Sequence, residues 1–279
     1  MAELIIPTVP LNTGHEMPRL GYGTWPLTGR AATDAVLSAI GTGYRLIDTA
    51  QAYGNEDAVG QAVKEASVSR AELFITTKLT GRYQGKGLVR QGVEASLTTL
   101  GLDYVDLFLI HWPDPALGLY VETYVSLLEL AGEGLIRSIG VSNFTPPYLA
   151  ELAKATTVPP AVDQLQVSPT IARYQTVESI IPSSTIVQAW SPLERNSGIL
   201  DNPVIVAIAR RHKVTAGQVV LRWLMDRGLT TVPHTATPSR QRENADIFNF
   251  HLDAEEVGQI YHLDGKTEGS LDPDTFQDF

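Results

Sequence analysis

The chain has no cysteine among its 279 residues, so disulfides, thiolate nucleophiles and cysteine-ligated metals are excluded together. It also lacks any continuous apolar run of about 18 residues, the length a transmembrane helix needs. The first residues, MAELIIPTVPL, have neither the basic start nor the long apolar stretch of a secretory signal, which makes a cytoplasmic location the expectation. Positive charge is scarce: 21 Lys and Arg stand against 31 Asp and Glu, giving a net charge of −10. Such a surface offers no sequence-independent grip on nucleic acid or on an anionic membrane, so a small molecule is the expected partner. No Gly/Ser/Pro-rich linker or low-complexity segment divides the sequence, and residues 1–279 read as one domain.

What is present is a repeat of short β-branched or aromatic runs with helical segments between them, recurring every 25 to 35 residues or roughly so. The strand candidates are residues 20–23, 45–49, 73–78, 105–111, 136–142, 161–166, 185–190 and 229–233. Eight such units predict a (β/α)8 TIM barrel, and several runs are apolar without alternation, as parallel strands covered by helices are. Helices are expected over 31–43, 56–67, 88–101 and 120–134, each closing on or near Gly or Ser, with an additional one over 215–228. An Asn-Thr-Gly turn within residues 5–20 predicts a hairpin capping the bottom of the barrel.

Asp48, Lys78, His111, Asn143, Gln164 and Trp190 all fall at or just past the C-terminal end of a predicted strand. In a barrel of this kind those ends converge on the mouth where active sites sit. Each residue alone has an ordinary role: Asp48 as a helix cap, His111 as a satisfied core histidine, Trp190 as a core aromatic. Six together do not fit that account. Tyr53 lies beside Asp48 in GYRLIDTAQAYGNE (43–56), so an acid, a phenol, an ammonium and an imidazole can meet. A free phenol has a pKa of about 10, and a neighbouring ammonium favours its phenolate. That combination points to carbonyl reduction.

The patterns G-Y-R-x-I-D-T-A-x-x-Y-G-N-E, T-T-K-L, L-x-L-D-Y-V-D-L-x-L-I-H-W-P and S-I-G-V-S-N-F resemble the aldo-keto reductase family over essentially the whole chain. Within that family the chain looks most like the bacterial 2,5-diketo-gluconate reductases. The resemblance implies NADPH-dependent reduction of small aldehydes and ketones, dicarbonyls and keto sugars among them. It also implies a cofactor lying across the barrel top without a Rossmann domain, and indeed no GxGxxG follows a strand here. By resemblance Asp48, Tyr53, Lys78 and His111 form the catalytic tetrad. Tyr53 would donate the proton, Lys78 would lower its pKa, Asp48 would keep Lys78 charged, and His111 would orient the substrate oxygen. Gly23, Thr24, Trp25 and Asp48 are expected near the cofactor, Ser142, Asn143 and Gln164 at its carboxamide, and Trp190 on the nicotinamide face. Ser191 and Leu193 are expected over the pyrophosphate, with His234, Thr235, Arg240, Glu243 and Asn244 at the adenosine end. The substrate wall is expected to comprise Trp25, Tyr53, Thr80, His111 and Trp112, joined by Tyr83. Family members are commonly monomeric, which makes a monomer the expectation.

Three departures from the family pattern carry expectations of their own. His234 replaces the usual lysine at the 2′-phosphate, so NADH use becomes possible and NADPH selectivity should rise from about pH 8 to about pH 6. Glu194 replaces the usual glycine of the pyrophosphate loop, where an acid is unfavourable unless Arg195 offsets it or its side chain turns away. Asp163 replaces the more frequent asparagine, and is expected to place a negative charge near the nicotinamide. Thr80 stands where a Trp commonly follows T-T-K-L, which implies a more open pocket, and with a short, polar tail after Asp264 broad specificity is the expectation. GRYQGKG (81–87) lacks the spacing of a phosphate loop and reads as a mobile βα loop at the mouth. His15, His212, His251 and His262 show no metal-ligand spacing. Two other readings of the same residues are a nucleotide-binding redox-sensor subunit and an alcohol dehydrogenase working mainly in the oxidative direction.

Overall fold

Successive side chains of a strand face opposite ways, and in this chain that alternation decides which residues reach the barrel mouth. The computed structural model describes residues 4–195, 197–265 and 270–278. The hairpin comes first, with β1 (Thr8–Pro10) paired antiparallel to β2 (Glu16–Pro18). The barrel strands follow as β3 (Gly21–Gly23), β4 (Leu46–Asp48), β5 (Phe74–Leu79) and β6 (Val105–Ile110). The circuit continues with β7 (Ile136–Ser142), β8 (Val162–Gln166), β9 (Ile186–Trp190) and β10 (Thr230–Thr231). Each pairs parallel with its neighbour in sequence, and a parallel bridge from Leu20 to Thr231 brings the two ends of the sheet together. The expected barrel and hairpin are therefore both present, with strand limits within a few residues of those read from the sequence.

Helices surround the sheet: α1 (Gly29–Thr42), α2 (Glu56–Glu65), α3 (Val89–Leu100), α4 (Tyr120–Gly132) and α5 (Pro146–Ala155). They continue with α6 (Tyr174–Ile180), α7 (Pro203–His212), α8 (Ala216–Asp226), α9 (Pro238–Ala245) and α10 (Ala254–Tyr261). Gly43 and Gly101 end α1 and α3 in the left-handed conformation, at φ 118° and 64°. The additional helix α8 starts with a capping box between Thr215 and Gln218. No helix among the described residues is long and apolar enough to cross a membrane.

Two apolar layers result. Inside the barrel, Leu46, Phe74, Leu107, Leu109, Val162 and Val232 pack with Leu11 and Met17 of the hairpin segment, which fills the bottom. Outside it, Ile47, Ile75, Phe108, Ile110 and Val187 meet the helices. The inward parity of β4, β5, β8 and β9 continues upward to Asp48, Lys78, Gln164 and Trp190. Helix α2 lies so close to the end of α3 that a Cβ built on Gly60 would stand 2.0 Å from the Leu100 carbonyl oxygen.

This contact separates two substitutions that helix propensity alone would treat alike. Gly60→Ala should destabilise the protein by about 1–3 kcal/mol through overpacking. Gly41→Ala, at an α1 position with nothing within 4 Å of its Cβ, should stabilise it by up to about 1 kcal/mol. Urea titrations of the two variants check this, and a stabilised Gly60→Ala would contradict the packing described.

Candidate active site

Lys78 has no exposed surface, and its ammonium is held by three oxygens at the end of β5. Nζ donates to Asp48 Oδ2 at 2.8 Å, to the Thr49 carbonyl at 2.8 Å and to Tyr53 Oη at 3.2 Å. Burial works against this charge, but Asp48 and Tyr53 outweigh it, and the Lys78 pKa lies above its ordinary value. The other oxygen of Asp48 accepts from Gln164 Nε2 at 2.8 Å, and Gln164 also reaches Gln188 Oε1 at 2.7 Å. His111 presents its ring edge-on to Tyr53, with centroids 5.8 Å apart. The four residues expected to form a tetrad are thus brought together.

Local structure explains why the phenol arrives there. Gln51–Tyr53 form one 3₁₀ turn, closed by Gly54 at φ 62°, that swings Tyr53 back over β4. Asn55 ties that turn to the preceding loop, its Oδ1 accepting from Thr49 Oγ1 at 2.5 Å and its Nδ2 donating to the Leu27 carbonyl at 2.8 Å. Thr24 fixes the β4 end from the other side, with both its N–H and Oγ1 donating to the Asp48 carbonyl. One expectation is corrected. Burial pushes the Tyr53 phenol up, the Lys78 ammonium pulls it down and Asp48 pushes it up again, so the net shift in the free protein is upward.

From this point a cleft of about 590 Å³ runs across the mouth, lined by Gly23, Thr24, Trp25, Asp48, Tyr53, Trp190, Ser191 and Leu193 at one end. His234, Thr235, Arg240, Glu243 and Asn244 line the other. Ser142, Asn143 and Gln164 line an adjoining pocket of about 280 Å³ that shares Trp25, Tyr53 and Trp190 with the cleft. In the free protein these polar groups bind one another: Ser142 Oγ donates to the Gln164 carbonyl, and Asn143 Oδ1 accepts from Trp190 Nε1 at 3.0 Å. Glu194 adopts φ 50°, the left-handed region where the family's glycine is at ease. Its carboxylate turns aside to accept from the Thr170 N–H and Oγ1, at 2.9 and 2.8 Å. His234 Nδ1 lies 3.0 Å from the Gly23 carbonyl oxygen, and because that oxygen only accepts, Nδ1 carries the proton and donates. Burial, reinforced by the charge of Arg195, holds its pKa below the usual histidine value.

The sequence reading missed part of this lining. Thr215, Ala216 and Gly217, at the start of α8, open onto the cleft. Arg195 borders both cavities, its guanidinium 3.5 Å above the Trp25 ring. Leu271, Phe276 and Asp278 close one side of the smaller pocket, where Phe276 stacks on Trp112 with centroids 4.1 Å apart. The tail is therefore a pocket wall; its residues 266–269 and 279 lie outside the described residues. Thr80, by contrast, is buried beside Gln51, which accepts from its N–H, and lines neither cavity. Tyr83 packs into the outer apolar layer. The GRYQGKG segment begins with a 3₁₀ turn at Gly81–Tyr83, in which Gly81 is buried.

An eight-stranded barrel with Asp, Tyr, Lys and His gathered at its mouth is the architecture of one reductase class, and comparison with known proteins agrees. The profile of the Aldo/keto reductase family matches residues 19–264. The chain belongs to that family and is an oxidoreductase. It is 41% identical over 273 residues to 2,5-diketo-D-gluconic acid reductase B of Corynebacterium sp., covering 98% of this chain and 99% of that protein. It is 43% identical over 272 residues to the methylglyoxal reductase DkgA of Escherichia coli, covering 97% and 98%. Among solved structures, an aldo/keto reductase from Brucella melitensis superposes with a TM-score of 0.89 at 40% identity, over 93% of this chain and 100% of that one. A silkworm aldo-keto reductase complexed with NADPH gives 0.88 at 37% identity, over 95% and 90%.

Asp163 is not where the sequence placed it. Strand alternation that turns Gln164 into the barrel turns Asp163 outward, beneath the Phe144 backbone and toward Arg173, and it lines neither cavity. No negative charge is thereby added at the mouth. Both carboxylate oxygens are buried without a well-formed hydrogen bond, and burial raises the Asp163 pKa well above 3.8. A carboxyl raised in the folded state loses stability as pH climbs above its unfolded pKa, because only the unfolded chain then releases the proton freely. Asp163→Asn should consequently stabilise the protein by about 1–2 kcal/mol at pH 7 and have little effect near pH 4. Denaturant melts at the two pH values check the sign.

Proposed function

We propose that this protein uses NADPH to reduce small aldehydes and ketones, including dicarbonyls and keto sugars, with Tyr53 as proton donor. The observation that carries this reading is the buried Lys78 ammonium, which bridges Asp48 and the Tyr53 phenol at the barrel mouth. The cleft suits a dinucleotide by its donor set: Arg195 and Arg240 line it with no carboxylate paired to either among the described residues. Two unpaired guanidiniums favour phosphate groups. Trp190 and Trp25 would flank the nicotinamide end, with Asn143, Gln164 and Ser142 at its carboxamide; Arg240, Glu243 and Asn244 would take the adenosine end. The NADPH-bound silkworm relative supports the choice of cofactor.

When bound, NADPH would supply the hydride for the carbonyl carbon, itself becoming oxidised to NADP⁺. The carbonyl π pair moves onto oxygen, and Tyr53 passes its phenolic proton to that oxygen as the charge develops. The resulting phenolate remains against the Lys78 ammonium, which Asp48 holds in place, until solvent returns the proton. His111 directs the carbonyl oxygen toward Tyr53. Because Tyr53 is raised, the acid form needed for reduction stays loaded through neutral pH. The reverse reaction needs the phenolate, so its rate should climb with pH. The names of the diketo-gluconate and methylglyoxal reductases support those two dicarbonyls as the first substrates to try.

Two outcomes are expected. Tyr53→Phe should lower kcat for methylglyoxal by about 10² to 10⁴ while NADPH still quenches tryptophan fluorescence. In the wild type, oxidation of the product alcohol should keep rising to about pH 10, whereas reduction should be insensitive to Tyr53 ionisation below it. Absorbance at 340 nm reads both, and a Tyr53→Phe enzyme with most of its activity would remove Tyr53 from the mechanism. At the adenosine end, a neutral His234 gives little preference for a 2′-phosphate. The NADPH-to-NADH ratio of kcat/KM should stay flat from about pH 8 to pH 7 and rise only toward acid, while His234→Lys should raise it about tenfold at pH 7.5. An unchanged ratio in the lysine variant would place His234 away from the phosphate.

A further inference from the structure

The segment that walls the smaller pocket ends against the active-site histidine. His111 Nδ1 lies 2.8 Å from Asp278 Oδ2, with both side chains about nine-tenths buried. Neither atom has a well-aligned hydrogen-bond partner in the free protein. Such contacts are often poorly aligned before substrate binds and tighten in the complex. A carboxylate oxygen this buried is costly unless a cation faces it.

The approach is built by the fold. Ser270 Oγ accepts from Arg173 Nη2 at 2.7 Å, and the Leu271 N–H donates to Gln166 Oε1 at 3.1 Å. Tyr148 Oη donates to Asp274, and Phe276 stacks on Trp112. At the end of this track the Gly81 N–H donates to the Asp278 carbonyl at 2.8 Å. A Cβ on Gly81 would meet that carbonyl at 2.8 Å and Asp114 Oδ2 at 2.4 Å, so the side chain's absence is what admits the segment.

The other charged groups around His111 leave the pairing in place. Lys78 is committed to Asp48 and Tyr53. Arg195 borders the same pocket but stacks on Trp25. Asp114, behind Gly81, is pushed up to about 6 mainly by burial, so it adds a second negative charge only above that pH.

We propose that Asp278 is a positioning residue for His111. Its carboxylate stabilises the doubly protonated ring, so that Nδ1–H faces Asp278 and Nε2–H, on the far side of the ring, is a charge-assisted donor to the substrate carbonyl oxygen. This rests on the reductase reading above and adds to it. The site then holds two carboxylate-cation pairs, Asp48 with Lys78 and Asp278 with His111, one behind the proton donor and one behind the orienting group. A charge-assisted bond strengthens as the carbonyl oxygen becomes negative, so the pair acts on kcat more than on KM.

The test compares Asp278→Ala, Asp278→Glu and Phe276→Ala with the wild type, using methylglyoxal kinetics and ¹⁵N NMR of the His111 ring at about pH 7. Asp278→Ala should lower kcat about tenfold, with KM within about twofold of wild type, and should remove the Nδ1-protonated signal. Asp278→Glu should restore part of both. Phe276→Ala, which takes away wall and not charge, should raise KM chiefly. If Asp278→Ala keeps the wild-type kcat and ring signals, or raises KM as Phe276→Ala does with kcat intact, the segment is only a wall and the proposal falls. Failure of the wild type to turn over methylglyoxal or 2,5-diketo-gluconate would instead count against the reductase reading, and the NMR arm would still decide the pairing.

Discussion

An ammonium with no access to water governs the mouth of this barrel. Moving a charge into such a place costs several kcal/mol unless its partners are fixed and well bonded. Here they are fixed by strand ends: Asp48 closes β4, Lys78 lies near the end of β5, and Gln164 in β8 occupies the second oxygen of Asp48. The Thr49 carbonyl takes another ammonium proton. What Lys78 has left points at Tyr53, so the direction of that hydrogen bond follows from satisfying a buried charge.

The same arrangement sets a balance at the phenol. Asp48 is needed to keep Lys78 charged, yet its own negative charge opposes phenolate formation, and burial opposes it further. The outcome is a phenol that stays protonated near neutral pH. On the proposed reading, that is the form needed for the step that creates negative charge on a carbonyl oxygen.

Much of this was legible in the sequence because barrel strands announce themselves twice, by β-branched runs and by regular spacing. Asp48, Lys78, Gln164 and Trp190 sit at inward positions of strands whose limits the sequence gives within a few residues. The error over Asp163 came from carrying it over together with Gln164 from the family pattern, when the period of two already separated the two residues. The role of the tail had no local signal at all. Its contacts, Phe276 with Trp112 and Asp278 with His111, join distant parts of the chain and obey no periodicity. The bond of His234 to Gly23 is equally long-range, and it changes the charge expected from the residue type alone. For Glu194, the family pattern left two ways to tolerate an acid, and the Thr170 contacts show that its side chain turns away, at a φ where the family's glycine is at ease.

The hairpin at the barrel bottom has a consequence at the mouth. Leu11 and Met17 fill the lumen from below, while Asn12 and Thr13 fasten the turn to the Pro159 carbonyl and to Ser138. Strand side chains fill the rest of the lumen, so the cavities at the tetrad open only at the mouth among the described residues. On the proposed reading, cofactor and carbonyl compound must share it, and the pocket under the tail overlaps the nicotinamide end of the cleft at Trp25, Tyr53 and Trp190. On that reading the two ligands share one wall, so the arrival of either reshapes the space left for the other.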